Sequence, residues 1–385
     1  MVGGGAPAHQ AGLRLTRLTL GRYRNYPSLT WLPGSRMVVI SGANGSGKTN
    51  LLESVSFLVP GRGLRGARIA EVATSATGAW GAHGRFDTPD GPVEIGTGTT
   101  AEAPERRVFR LDGVAPRNQA EVSARVAAVW LTPQMDRLFQ EGLSGRRRFL
   151  DRLVYAIEPS HAREVAAHDT AMSGRNRLLA EGRREPAWLA GLEDAMARHA
   201  VAVMAARAAL VAQLNDALAS GIGGRFPAAQ LSLMSPIADL LAQEPALAVE
   251  DRLREDLAAS RGRDAAAGSA ALGAHRCDMA LHELATGQAA AQASTGQQKA
   301  LLIGVILGHA ALLAGARGFA PLLLLDEPAT HLDPQRREDL FDALLELPAQ
   351  VFLTGTDAAT FEPLRGRASF WQTGANALHA DPHYP

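Results

Sequence analysis

Gly42-Ala43-Asn44-Gly45-Ser46-Gly47-Lys48-Thr49 follows the spacing G-x-x-x-x-G-K-[ST], and each fixed residue type in it suits a phosphate chain. Glycines at 42, 45 and 47 let the backbone curl until its N–H groups converge on phosphate oxygens, and the start of the next helix adds a favourable dipole. Lys48 is long enough to reach the β- and γ-phosphates and to assist their transfer, and the Thr49 hydroxyl is placed for Mg2+. The apolar run Met37 to Ile40 before the loop reads as a buried strand, and KTNLLESVSFLV after it reads as a helix closed by Pro60 and Gly61. Strand, loop and helix in this order give the motif its meaning, so the chain is expected to bind a nucleoside triphosphate.

LLLLDEPATHLD supplies the acids that such a site needs. Four leucines make a buried strand, and open parallel sheets bind their ligands at the C-terminal ends of strands, where Asp326 and Glu327 fall. Asp326 is expected to support Mg2+ through its water shell, and Glu327 to be the base that orients an attacking water.

A third stretch, Ser294-Thr295-Gly296-Gln297-Gln298-Lys299, holds one of only two lysines in the chain, the other being Lys48. Positive charge elsewhere is carried by arginine, whose planar fork does not replace a compact ammonium everywhere. Gly296 permits close approach, Ser294 offers a hydroxyl, and a helix start attracts anions; the same residues also suit a simple serine N-cap. Together with the two motifs above, the stretch resembles the signature segment of the ATP-binding cassette family. That resemblance implies that Ser294, Gly296 and Gln297 face the γ-phosphate of an ATP held by another copy of the chain. It further implies that Gln134 in LTPQMDRL watches the γ-phosphate and Mg2+, that Asp333 in HLD lies across the dimer seam, and that Thr354 or Thr356 stands where transporters carry a switch histidine. Lys299, one turn into the helix, is then expected at the dimer seam or on DNA.

LTRLTLGRYRNY, GKTNLLESVSFLVPGRGLR, PQMDRLFQEGLSGRRRFLD, GRNRLLAEG and GAHRCDM together resemble the RecF family of bacterial recombination mediators, relatives of the SMC proteins, from about residue 13 to 360. The resemblance implies a cytosolic, weak, DNA-stimulated ATPase used as a switch. It would bind single-strand/double-strand DNA junctions, dimerise with ATP, and work with RecO- and RecR-type mediator proteins to help load the RecA recombinase. Two departures stand out: Cys277 precedes Asp278 where adjacent acids are usual, and DEPATHLD is worded as in cassette ATPases generally.

The rest of the chain must position these residues. With 385 residues and 46% apolar content, there is enough material for a large core and a second lobe. The fold class expected is α/β: a cassette-type head, mostly a parallel sheet with an antiparallel edge layer, carrying an inserted helical arm. Residues 13–144 and 270–385 are assigned to the head and 145–269 to the arm, with 1–12 as a disordered lead-in that lacks the features of a signal peptide. Short alternating segments from about 68 to 112 form the edge layer, and a strand around CDMALHEL rejoins the alternation of strands and helices. In the arm, Pro159, Gly174, Gly182 and Pro186 interrupt the helical pattern, and SRGRDAAAGSAALGA reads as a flexible connection. The apolar run Ala300 to Ala316 is read as a core helix and not as a membrane span, because a lysine precedes it and it contains His309. A single cysteine excludes intrachain disulfides and fits a reducing cytosol.

Basic and acidic residues number 39 each, so nucleic-acid binding must come from a local patch and not from net charge. Arg62, Arg65 and Arg68 after the first helix and Arg146, Arg147 and Arg148 at the start of the arm are the candidates for phosphate contacts. Solvated faces with local ion pairs are the plainer reading of each. Tyr23 or Tyr26 could stack on adenine or serve as core aromatics. The alternative function is the ATPase subunit of a membrane transporter, against which stand the inserted arm and the missing switch histidine. A structural clamp needs longer coiled coils than this arm supplies.

Overall fold

The computed structural model describes residues 12–74, 78–182, 185–222, 225–374 and 376–384. Most of the anticipated lead-in therefore lies outside the described residues. The chain folds into two compact units, one made of the described residues within Met1–Asp136, Gly223–Phe226 and Leu302–Pro385, the other of those within Arg137–Ile222 and Pro227–Leu301. Residues 270–301 thus cluster with the second unit.

In the first unit, β1 (Arg14–Tyr23), β2 (Tyr26–Trp31), β4 (Gly81–Thr88), β5 (Gly91–Gly98) and β6 (Val108–Leu111) form an antiparallel sheet in the order β2-β1-β4-β5-β6. Their burial alternates along the chain, as in Gly81–Thr88, because one face packs inward and the other meets water. The antiparallel layer is therefore a sheet of its own that also takes in β1 and β2. Strands β3 (Met37–Ser41), β7 (Ala128–Leu131), β10 (Leu322–Leu325), β11 (Val351–Gly355), β12 (Ser369–Gly374) and β13 (Ala377–Ala380) form the second sheet, in the order β13-β12-β3-β11-β10-β7. All its pairings are parallel except that of β13 with β12. Its central strands are buried at every position, which is why they read as unbroken apolar runs. Buried Gln350 ties the sheets together: its Oε1 accepts from Leu15 N at 2.7 Å, and its Nε2 donates to Leu15 O at 3.2 Å.

Helix α1 (Lys48–Ser56) follows β3 directly, and α2 (Gln119–Arg125) precedes β7. In the second unit, α3 (Leu143–Ile157), α4 (His161–Ala180), α5 (Pro186–Ala219), α6 (Pro236–Leu241), α7 (Ala246–Ala259) and α8 (Arg261–Ala267) accompany a two-stranded antiparallel sheet of β8 (Ala229–Met234) and β9 (Asp278–Glu283). The CDMALHEL strand thus pairs with β8 and takes no part in the parallel sheet. Gly174 does not interrupt α4. A Cβ there would sit 3.3 Å from Leu192, so the glycine serves the close approach of α4 to α5. Helix α9 (Thr295–Arg317) is long and apolar enough to cross a membrane, as is α5, but 72% of its apolar window is buried inside the fold, in keeping with a core helix.

The stretch expected to be a flexible connection is instead structured and partly core. Ala270, Ala274 and Cys277 join the cluster built by Met196, Ala200, Met204, Val249 and Leu257. Beside it, fully buried Arg175 donates to Glu193 at 3.0 Å, to Asp264 at 2.8 Å and to the Leu257 carbonyl at 2.7 Å. Asp264 also accepts from the Ser260 hydroxyl at 2.8 Å and the Ala271 amide at 3.1 Å. Small and polar letters read as looseness in the sequence because their partner, Arg175, lies some ninety positions away.

Removing one member of a buried charge cluster strands the others. Arg175→Met is expected to cost about 3–5 kcal/mol of unfolding free energy, read as a lower denaturant midpoint. Burial pushes the Asp264 carboxyl up, but Ser260, Arg175 and the Ala271 amide outweigh it and hold its pKa below the ordinary value. Its contribution is therefore present above the unfolded pKa of about 3.9 and is lost as pH falls through the lower folded value. The wild-type protein should lose stability over that acid range and the Arg175→Met variant should lose less.

Candidate nucleotide site

The loop between β3 and α1 bends through three left-handed glycines, Gly42 (φ 149°), Gly45 (φ 78°) and Gly47 (φ 108°). Two of them are also confined by neighbours: a Cβ at Gly42 would lie 2.8 Å from the Thr373 carbonyl oxygen, and one at Gly47 would lie 2.7 Å from the Tyr26 hydroxyl. The Ser46 hydroxyl meets that of Thr373 at 2.5 Å, which pins the loop to β12. Lys48 is buried to 4% exposure and its Nζ donates to the carbonyls of Gly42 at 2.7 Å and Ala43 at 3.0 Å. Burial lowers its pKa, while Glu327 and Asp326 pull it back up, so the acids at the strand end help keep the ammonium charged.

Asp326 and Glu327 follow the last leucine of β10, and β10 lies beside β11, which lies beside β3. That order brings the loop and the acids to the same sheet end. Thr49 Oγ1 donates to Asp326 Oδ1 at 3.1 Å, and Thr354 Oγ1, from β11, donates to the same oxygen at 2.7 Å. The Glu327 amide donates to Thr354 Oγ1 at 3.0 Å, and Glu327 itself adopts φ 50°, a left-handed conformation that a non-glycine residue holds only when its surroundings impose it. Of the two threonines considered for the switch position, Thr354 is thus buried and bonded to the acids, whereas Thr356 is exposed.

A cavity of about 380 Å³ opens at this sheet end, and its lining includes Gly45, Lys48, Thr49, Gln134, Asp326 and Glu327. Gln134 reaches it from the turn Pro133–Arg137 that follows β7. Thr49 and Asp326 present hard oxygen donors of the kind that suit Mg2+, a few ångströms apart on one wall.

Asn50 and Arg65 also line this cavity, and the loop stands on a network that includes both. Fully buried Glu53 of α1 accepts from Tyr23 at 3.1 Å and from Arg24 Nε at 2.8 Å, and it lies 3.7 Å from Arg65. Arg65 donates to Asn50 Oδ1. Asn50 Nδ2 donates to Asn25 Oδ1 at 2.6 Å, and Tyr26 donates to the Gly47 carbonyl at 3.1 Å. RYRNY, KTNLLE and GRGLR are therefore one structure beneath the phosphate loop. Sequence reasoning left Arg65 between a DNA contact and a solvated face with local ion pairs and gave Asn50 no role, although the asparagine directly after the lysine–threonine pair was a usable signal. Tyr23 and Tyr26 are both fully buried and are core aromatics.

Ser294 and Gln297 cap α9 reciprocally: Gln297 N donates to Ser294 Oγ at 3.3 Å, and Ser294 N donates to Gln297 Oε1 at 3.0 Å. Ser294 is exposed and Gly296 half-buried, so the helix start stays open on one side. Asp333 caps α10 (Pro334–Glu346) by accepting from Arg336 N at 2.8 Å. Lys299 differs from expectation: at 1% exposure it is a buried core residue, out of reach of a dimer seam or of DNA. The helical pattern of ALLIGVILGHAALL extends back over it, and the polar neighbours on its N-terminal side concealed that.

Among the arginines, Arg62, Arg68 and Arg148 are exposed. Arg146 pairs with Asp278 through two contacts, at 2.7 and 3.0 Å, and also donates to the Glu141 carbonyl at 2.6 Å. Arg147 is half-buried and donates to the Cys277 carbonyl at 3.4 Å. Cys277 is itself fully buried in the core of the second unit. An acid in its place would have to be neutralised there.

A glycine-rich loop on a parallel sheet, faced by an acidic strand end, with a separate antiparallel sheet and a helical second unit, defines a phosphate-loop ATPase head of the SMC class. Residues 14–369 match the family described as RecF/RecN/SMC N terminal domain. The protein called DNA replication and repair protein RecF in Mesorhizobium japonicum is 46% identical over 365 residues, which cover 94% of this chain and 96% of that protein. Its namesake in Rhizobium meliloti is 46% identical over 360 residues, 92% of this chain and 96% of that one. A solved structure described as the recombination mediator protein RecF-ATPrS in the RecFOR pathway superposes with a TM-score of 0.84 at 20% identity, covering 96% of this chain and 99% of that one. An SMC head bound to the C-terminal winged-helix domain of ScpA reaches 0.54 at 13% identity, covering 95% and 96%. The chain belongs to the RecF family. Membership sets aside the transporter alternative.

Gly47→Ala tests the local geometry. The left-handed φ and the collision with Tyr26 and Asn25 should cost about 1–3 kcal/mol, read as a lower melting temperature together with weaker ATP binding. An unchanged melting temperature and affinity would contradict the confinement described for this loop.

Proposed function

We propose that this chain is an ATP-dependent DNA-binding recombination mediator acting in DNA repair and at replication gaps, and that a weak ATPase serves as its switch. The observation that carries this reading is the convergence of Lys48, Thr49, Gln134, Asp326 and Glu327 on one cavity, in a chain whose relatives are called DNA replication and repair proteins. Loop amides from Ala43, Asn44, Gly45, Ser46 and Gly47 would cradle the phosphates, and Lys48 would exchange its loop carbonyls for the β- and γ-phosphate oxygens. Thr49 and Asp326 would hold Mg2+, which when bound neutralises phosphate charge. Glu327 would accept a proton from water as the water oxygen bonds to the γ-phosphorus and the bond to the β–γ bridging oxygen breaks, leaving ADP and phosphate.

Ser294, Gly296 and Gln297 would complete the site of a second copy, with Asp333 at the same seam, so that ATP closes a homodimer and hydrolysis opens it. The open side of the capped α9 start, with Ser294 exposed, supports this. DNA, at single-strand/double-strand junctions, would be held through phosphate contacts from Arg62, Arg68 and Arg148 before the others. RecO- and RecR-type mediators would be the protein partners, in the cytoplasm.

Turnover of ATP measured with and without gapped duplex DNA tests the proposal. Gapped DNA should raise the rate, DNA affinity should fall steeply as salt rises, and Lys48→Ala should lose both ATP binding and turnover. Hydrolysis indifferent to DNA, or an unchanged rate in Lys48→Ala, would contradict the proposal.

A further inference from the structure

Thr354 is fully buried at the end of β11, and its hydroxyl oxygen carries two bonds in opposite senses. It donates to Asp326 Oδ1 at 2.7 Å and accepts from the Glu327 amide at 3.0 Å. A hydroxyl is the one small group able to do both at once; valine, of the same shape, could do neither.

The two bonds have distinct consequences. Asp326 Oδ1 is already the acceptor for Thr49, so the Thr354 bond fixes the carboxylate in one rotation and sets the direction of its other oxygen. The bond from Glu327 N secures a peptide whose next residue adopts φ 50°, a conformation that costs free energy and persists only when neighbours impose it. Without that acceptor the Glu327 amide would lose its bond to β11. Gly355, which follows, cannot substitute, because it has no side chain and the Phe361 ring occupies the space where its Cβ would be.

We propose that Thr354 is a positioning residue that holds the magnesium-supporting carboxylate of Asp326 and the water-orienting carboxylate of Glu327 in register through one hydroxyl. It rests on the roles given to Asp326 and Glu327 under the proposed function. It also gives β11 a function: the strand lying between the phosphate loop and the acids locks the acidic end in place.

The test compares Thr354→Val, Thr354→Ser and wild-type full-length protein in two measurements. One is single-turnover ATP hydrolysis; the other is the Mg2+ concentration needed for half-maximal binding of a fluorescent ATP analogue. Thr354→Val should slow hydrolysis roughly tenfold to a hundredfold, the range set by stranding a buried donor, and should raise the Mg2+ requirement. Thr354→Ser, which keeps the hydroxyl, should restore most of both. A valine variant with the wild-type rate and Mg2+ requirement overturns the proposal, and so do valine and serine variants impaired alike, because the hydroxyl would then not be what matters. If the valine variant does not fold, Thr354→Ala against Thr354→Ser is read in the same way. Glu327→Gln in the same hydrolysis assay separates the two levels: a Glu327→Gln protein hydrolysing at the wild-type rate removes the underlying role of Glu327, whereas an inactive one leaves any failure with Thr354 alone.

Discussion

One carboxylate oxygen, Asp326 Oδ1, accepts from Thr49 on the helix after the phosphate loop and from Thr354 on the neighbouring strand. The two donors come from different elements, so together they fix the carboxylate's orientation. The arrangement requires three adjacent parallel strands, β3, β11 and β10, to end at one level, and their register provides it: Ser41 pairs with Gly355, and Leu325 with Leu353. Displacing β11 by one residue would turn Thr354 to the other face of the sheet. The loop, the acids and the cavity between them depend on that register.

The same physical rule recurs elsewhere in the molecule. Glu53 beneath the loop and Arg175 in the second unit are fully buried charges, and each is met by several donors or acceptors. Unpaired, such a group would be strongly destabilising; fully paired, it fixes the segments around it. Glu53 joins α1 to the turn after β1 and to the segment after the helix through Arg24 and Arg65. Arg175 joins α4 to α5, α7 and α8. These two hubs account for several letters that mark the chain as RecF-like, among them the acid in KTNLLE and the arginine in GRNRLL.

Much of this was legible in the sequence wherever the information was local. The phosphate loop, β3, the β10 strand with its acids and the long α9 all follow from runs of adjacent residues, and the structure has them at the expected places. What was not legible depended on partners distant in the chain. The SRGRDAAAGSAALGA stretch looked loose because Asp264 and Ala270 are ordered by Arg175 and by the core of α5 and α7. CDMALHEL was visible as a strand, but nothing local said that its partner would be β8. Thr354 was placed near the site by resemblance, yet its two bonds to the acids could not be read from LTGTD. Lys299 is part of the buried face of α9, which the polar residues just before it hide in the sequence.

The part of the Asp326 carboxylate in holding Mg2+ is tested most directly by binding of ATP, with and without Mg2+, to wild-type protein and to Asp326→Asn. Asparagine keeps an oxygen for Thr49 and Thr354 while it removes the charge and replaces the other oxygen by an amide NH2, so the fold around the site should survive. Mg2+ should tighten ATP binding to the wild type and add little to the variant. Equal tightening by Mg2+ in both proteins would contradict the account, since the metal would then be held by other groups.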